Sequence, residues 1–124
     1  MEDITDQIRG FLMEFKEIVI KRGLYVIPRT ENIESLVALR LTKRNRKNEI
    51  LSLSVAEYCS GPEPDIGGSG HVWMFGKEIN GTSVYIKLKI AQVKDKDEKI
   101  AKCLSFHVAK FPLCFPYKER REEK

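Results

Sequence analysis

The sequence predicts an α+β domain in which N-terminal helices pack on an antiparallel β-sheet. Three observations predict it. Apolar residues recur at three- and four-residue spacing through the first twenty positions. A strict apolar/polar alternation runs from Val84 to Ile90. An Asn80-Gly81 pair, a strong hairpin signal, separates two strand-like runs.

The N-terminal pattern is Ile4, Ile8, Phe11, Leu12, Phe15, Ile18 and Val19. It predicts a helix opened by Asp3 or Thr5 and closed by Gly23, after the cations Lys21 and Arg22. Leu24 to Ile27 is short and β-branched and stops at Pro28, which suits an edge strand. A second helix is expected over 33–41 with Thr30 or Asn32 as cap, and a third over 43–52 capped by Thr42. The third opens with Lys43, Arg44, Asn45, Arg46 and Lys47. Cations there oppose the helix dipole, so this run reads either as a solvated face or as a footprint for an anionic partner.

Residues 59–70 carry Gly61, Pro62, Pro64, Gly67, Gly68 and Gly70 and read as a loop, with Tyr58 and Ser60 at the end of the third helix. No Gly-Lys-Ser/Thr follows, so a phosphate-binding P-loop is excluded. Strands are expected at 71–79, 84–93 and 100–108, with a charged turn over 94–99. Phe111 to Tyr117 contains two prolines and is expected to be extended. The chain of 124 residues suits one domain, 1–124, with 118–124 as a frayed tail.

Lys and Arg number 22 against 18 Asp and Glu, a net charge of +4. This favours an anionic partner without choosing among RNA, DNA and an acidic protein surface. The cysteines Cys59, Cys103 and Cys114 are odd in number and lack metal-ligand spacing, which predicts a reducing cytoplasm, and the two histidines lie far apart with no acidic partner in the sequence, so no metal site is expected. No apolar stretch approaches the ~20 residues that span a membrane, so no membrane partner is expected.

The alternation puts Tyr85, Lys87 and Lys89 on one face, and Ser105 and His107 share it if residues 100–108 use the same core. Such a set suits a phosphodiester. Lysines neutralise phosphate charge, histidine moves protons near neutral pH, and tyrosine stacks on a base. On alternation alone a plain solvated outer face accounts for the same residues. Lys77 beside the hairpin and His71 at the start of its strand are further candidates, as are Arg44 and Arg46. A two-residue turn would pair Lys77 with Val84, and a one-residue slip with Tyr85.

The runs VWMFGKEINGTSVYIKLKI and CLSFHVAKFPLCFPYK resemble the MqsR-like toxins of type II toxin–antitoxin systems, within the RelE-like superfamily of mRNA interferases. The resemblance covers roughly the last half of the chain. It implies a curved antiparallel sheet and metal-independent cleavage of mRNA, with or without the ribosome, by attack of the ribose 2′-hydroxyl on the adjacent phosphate. It assigns the catalytic tyrosine to Tyr85, the lysine two positions on to Lys87, and the basic residue after the Ser-Phe pair to His107. A second family lysine falls near Cys59, and a family glutamine falls near 72–74. The resemblance also implies a cognate antitoxin with a zinc-binding N-terminal part and a helix-turn-helix C-terminal part, and no cofactor for the toxin itself.

Overall fold

The computed structural model describes residues 3–118. Beyond residue 118 the expected frayed tail lies outside the described residues. The elements run α1 (Ile4–Arg22), β1 (Leu24–Val26), α2 (Thr30–Leu39), α3 (Lys43–Leu51), a 3-10 turn (Val55–Glu57), β2 (Tyr58–Pro64), β3 (His71–Ile79), β4 (Thr82–Gln92) and β5 (Lys99–Val108). The fold is α+β, as the sequence predicts.

The five strands form one sheet in the order β1-β5-β4-β3-β2. Strands β2 to β5 are an antiparallel meander, but β1 pairs with β5 in parallel, so the expectation of a purely antiparallel sheet is corrected to a mixed one. The hairpin between β3 and β4 follows its signal: Asn80 and Gly81 both take positive φ, at 50° and 78°, as a type I′ turn requires.

Helix α1 is capped by the Asp3 side chain, which accepts from the Thr5 amide at 3.0 Å, and it ends at Gly23. It lies on one face of the sheet. Phe11 stacks on Trp73 with ring centroids 4.8 Å apart, and Phe15, Phe75, Ile86, Leu88 and Phe106 are fully buried around it. Burial of this kind contributes about 1.5–3 kcal/mol per large side chain and fixes the register of β4.

Helix α2 starts three residues earlier than expected, and neither Thr30 nor Asn32 caps it; Arg29 holds the cap position without a side-chain bond. Asn32 has another task. It is buried, its amide nitrogen donates to the carbonyls of Ile27 and Leu104, and its oxygen accepts from the Phe106 amide at 2.9 Å. Ser35 donates to the Phe106 carbonyl at 2.6 Å. The three-residue β1 covers only Ala101 to Cys103 of the β5 edge, and these two side chains satisfy the backbone beyond it. Helix α3 is opened by a reciprocal capping box between Thr42 and Asn45, as its cap signal predicts.

The expected loop over 59–70 is corrected in its first half, and Tyr58 and Ser60 open a strand rather than end a helix. Two prolines are tolerated because β2 is the outermost strand, where missing donors face away from the ladder. Register shifts break its pairing with β3 between Tyr58 and Ser60 and between Ser60 and Glu63. At Gly61, with φ of 113°, an added Cβ would lie 2.9 Å from the Val72 carbonyl oxygen, so the close approach needs glycine.

Candidate functional site

The face of the sheet away from α1 carries the polar cluster. The β4–β5 register sets Tyr85 opposite His107 and Lys87 opposite Ser105. The rings of Tyr85 and His107 lie 5.6 Å apart between centroids, tilted by 39°. A bulge follows: Lys87 pairs with Ser105 but Leu88 pairs with Cys103, so Leu104 is the extra residue. After it, Lys89 faces Lys102. Ser105 is buried beneath the cluster, whereas Tyr85, Lys87 and His107 are half-buried.

Two segments cover parts of this face, and each changes what the sequence suggests. The loop after β2 brings Asp65 onto Lys89, with Nζ and the carboxylate 2.6 Å apart. Lys89 is only 8% exposed, so it is a committed cation. Asp65 is correspondingly held below the usual carboxylate range, first by the hydrogen bond from Lys89. At the other end the C-terminal segment lies over β3. Leu113 and Phe115 seat on Gly76, the β3 partner of Tyr85; an added Cβ at Gly76 would meet Leu113 at 2.5 Å and Phe115 at 3.2 Å. Between the two covers lie Tyr85, Lys87 and His107.

Burial raises the Tyr85 phenol above its ordinary pKa, with Glu63 and Cys59 adding to the effect. It therefore stays protonated at neutral pH and acts as a donor. The Nδ1 of His107 lies 3.0 Å from the Val108 carbonyl oxygen. A carbonyl only accepts, so this contact places a proton on Nδ1 and leaves the lone pair of the neutral ring on Nε2. The nearest carboxylate to Nε2 is Glu31, at 3.9 Å from α2. Glu31 also pairs with Lys110, whose hydrogen bond is the main reason its carboxyl sits below the ordinary range. Cys59 holds no charge here: burial, with Cys114 nearby, pushes its thiol up to about 11. Where the family pattern implies a lysine, the chain presents a neutral thiol.

The other sequence candidates lie elsewhere. Lys77 pairs with Val84, on the helix side of the sheet, where it bonds Glu49 at 2.7 Å and Ser52 at 2.6 Å. His71 is exposed at the start of β3 and shares the strand parity of Trp73 and Phe75, not that of the polar cluster. Arg44 and Arg46 line a separate cleft of about 460 Å³ with Leu24, Val26, Lys43 and Lys47. Arg46 is buried and donates to the Asn32 carbonyl at 3.3 Å, and burial lowers its pKa. The structure therefore brings together Tyr85, Lys87, Ser105 and His107, ties Lys89 to an acid, and keeps Lys77, His71, Arg44 and Arg46 apart from them.

The chain matches no family model, no curated protein and no solved structure. The geometry of the polar face thus stands without a relative to interpret it. Sequence reasoning missed Asp65, Glu31 and Glu63 around this face, because each arrives from a distant segment. It also missed Lys102, whose facing to Lys89 depends on the bulge at Leu104. Among the described residues no group of three or more His, Cys, Asp or Glu is placed to hold a metal ion, and no helix is long and apolar enough to cross a membrane.

Proposed function

We propose that this chain is the toxin of a type II toxin–antitoxin system on a RelE-like fold, an endoribonuclease that cleaves mRNA without a metal ion. The observation that carries the reading is the cross-strand pairing of Tyr85 with His107, with Lys87 one step along. The family-like runs VYIKLKI and LSFH supply the same three residues. In this mechanism Nε2 of His107 takes the proton of the ribose 2′-hydroxyl. The 2′-oxygen attacks phosphorus, the bond from phosphorus to the 5′-oxygen breaks, and the Tyr85 phenol donates a proton to the departing oxygen. The products are a cyclic phosphate and a free 5′-hydroxyl. Lys87 neutralises the charge that builds on the phosphoryl oxygens. Among the described residues it makes no ion pair, unlike Lys77 and Lys89. The reading carries with it a cytoplasmic location, an mRNA substrate free or on the ribosome, and an antitoxin with a zinc-binding part and a helix-turn-helix part.

The test is incubation of purified protein with labelled RNA and mapping of the cut ends. His107→Ala is expected to reduce cleavage by about 10²–10⁴-fold, Tyr85→Phe to reduce it less, and a 2′-deoxy substitution at the cut position to abolish it. Cleavage unchanged in both variants would sink the assignment. A second reading, a non-catalytic RNA-binding module, is favoured by the cleft lined with Lys43, Arg44, Arg46 and Lys47. It predicts salt-dependent RNA binding with no cleavage product.

A further inference from the structure

The same sheet face runs on from the Tyr85–His107 pair, past the buried Ser105 and the Lys89 that Asp65 covers, to the sheet edge. There it forms a row of three partners: Lys89 on β4 faces Lys102 on β5, and Lys102 faces Tyr25 on β1. The neighbours of Lys102 along its strand, Ala101 and Cys103, are fully buried in the core, so Lys102 projects to the open side. Leu24 and Val26 pack against the core, which turns Tyr25 the same way. Lys89 is committed to Asp65, but Lys102 makes no ion pair among the described residues. Tyr25 is 50% exposed, an aromatic ring at a sheet edge that its own chain leaves half uncovered. It lines a cleft of about 410 Å³ with Ile100, Val93 and the ion pair of Arg22 with Glu98, 2.9 Å apart.

We infer that Tyr25 and Lys102 form a nucleotide subsite for single-stranded RNA, resting on the ribonuclease reading of the same face. One base stacks on the Tyr25 ring, against the apolar Ile100 and Val93, and an adjoining phosphate meets the Lys102 ammonium. An exposed ring next to an uncommitted cation is the arrangement that holds unpaired nucleotides, because every base has a π-face and every linkage a charge. A duplex hides its base faces, so the subsite selects single strands. Two strand spacings across and four residues along separate Tyr25 from Tyr85, roughly 16 Å by sheet geometry. The subsite therefore holds a flanking nucleotide, not the one being cut. Tyr25 and Lys102 act on substrate position and leave the chemistry to Tyr85, Lys87 and His107.

The test uses the full chain and two substrates. Fluorescence anisotropy with a single-stranded 2′-O-methyl RNA dodecamer, which lacks the reactive hydroxyl, reads binding alone. Tyr25→Ala is expected to weaken binding by about 5- to 150-fold, and Tyr25→Phe, which keeps the ring, to leave it within about twofold. Lys102→Ala is expected to weaken binding and to lower the salt slope by about one ion. On unmodified RNA, Tyr25→Ala raises KM and leaves kcat unchanged, while a dinucleotide too short to reach the edge is cut equally by both proteins. Equal affinity of Tyr25→Ala and the unaltered chain overturns the subsite, as does a Tyr25→Phe loss as large as that of alanine. Tyr25-dependent binding with no cleavage keeps the subsite and removes the ribonuclease reading. No RNA binding at all removes both.

Discussion

The two faces of the central strands are held by different means, and β4 carries both. On the helix side Val84, Ile86 and Leu88 are fully buried among Phe15, Phe75 and Phe106. Shape and apolar area decide what sits there. On the open side Tyr85 and Lys87 stay half-covered, and what shields their neighbours is borrowed from far along the chain: Asp65 over Lys89 and Leu113 over Gly76. The contrast separates residues that the fold needs from residues that the fold leaves available. Substitutions on the first face should cost stability; substitutions in the window on the second should cost function.

The largest stability effect is expected from Phe75→Ala. This ring is fully buried and stacks near Phe11, with centroids 6.2 Å apart. A loss of about 3–5 kcal/mol in denaturant unfolding is expected, and a loss under 1 kcal/mol would break the contrast. Next comes Gly76→Leu, on the opposite face of the same strand. Its side chain would displace Leu113 and Phe115, at a cost of about 1–3 kcal/mol. Hydrogen exchange should then rise across 111–117 while the helix-side amides keep their protection.

Asp65→Asn is expected to cost less, about 1 kcal/mol at neutral pH, and its effect should depend on pH. The Asp65 carboxyl lies below its ordinary range in the folded chain. A depressed folded-state value adds stability that is fully present above about pH 4 and disappears as pH falls through the folded value. Unfolding free energies of the parent and the variant should therefore converge on the acid limb; a constant gap down to pH 2 would assign the effect to something other than the carboxylate. The smallest change is expected from Tyr85→Phe, within about 0.5 kcal/mol of the parent by thermal or denaturant unfolding. A large loss there would move Tyr85 to the structural side of the comparison.

How much of this was legible in the sequence follows the same division. Strands β3 to β5, their hairpin and helix α1 are visible because period and turn chemistry are local signals: Val84 to Ile90 alternate, and Asn80-Gly81 has few other uses. Strand β2 is invisible because Gly61, Pro62 and Pro64 read as breakers, and only an outermost position makes them acceptable in a strand. The parallel partner of β1 is likewise absent from any local pattern, since the pairing spans Leu24 and Ala101. The same limit applies to the candidate site. Alternation indicates that Tyr85 and Lys87 share a face, and the shared core indicates that His107 joins them. It does not indicate that Lys89 is neutralised by Asp65, that Lys77 is taken up by Glu49 on the far side, or that Arg46 is folded under Asn32. Those pairings are decided by where two distant segments meet, and no spacing rule along one strand carries that information.

Asn32 has a consequence beyond the single chain. Its side chain stands in for a strand, meeting the Phe106 amide and the Leu104 carbonyl where β1 has already ended. Replacing it with leucine would leave both groups open on the edge of β5, at and beyond the bulge at Leu104 and next to an existing parallel pair. Such an edge is a template for another copy of the same chain. The role of Asn32 would then be read in the concentration at which the protein begins to self-associate into fibrils, a colloidal property governed by one amide inside a helix.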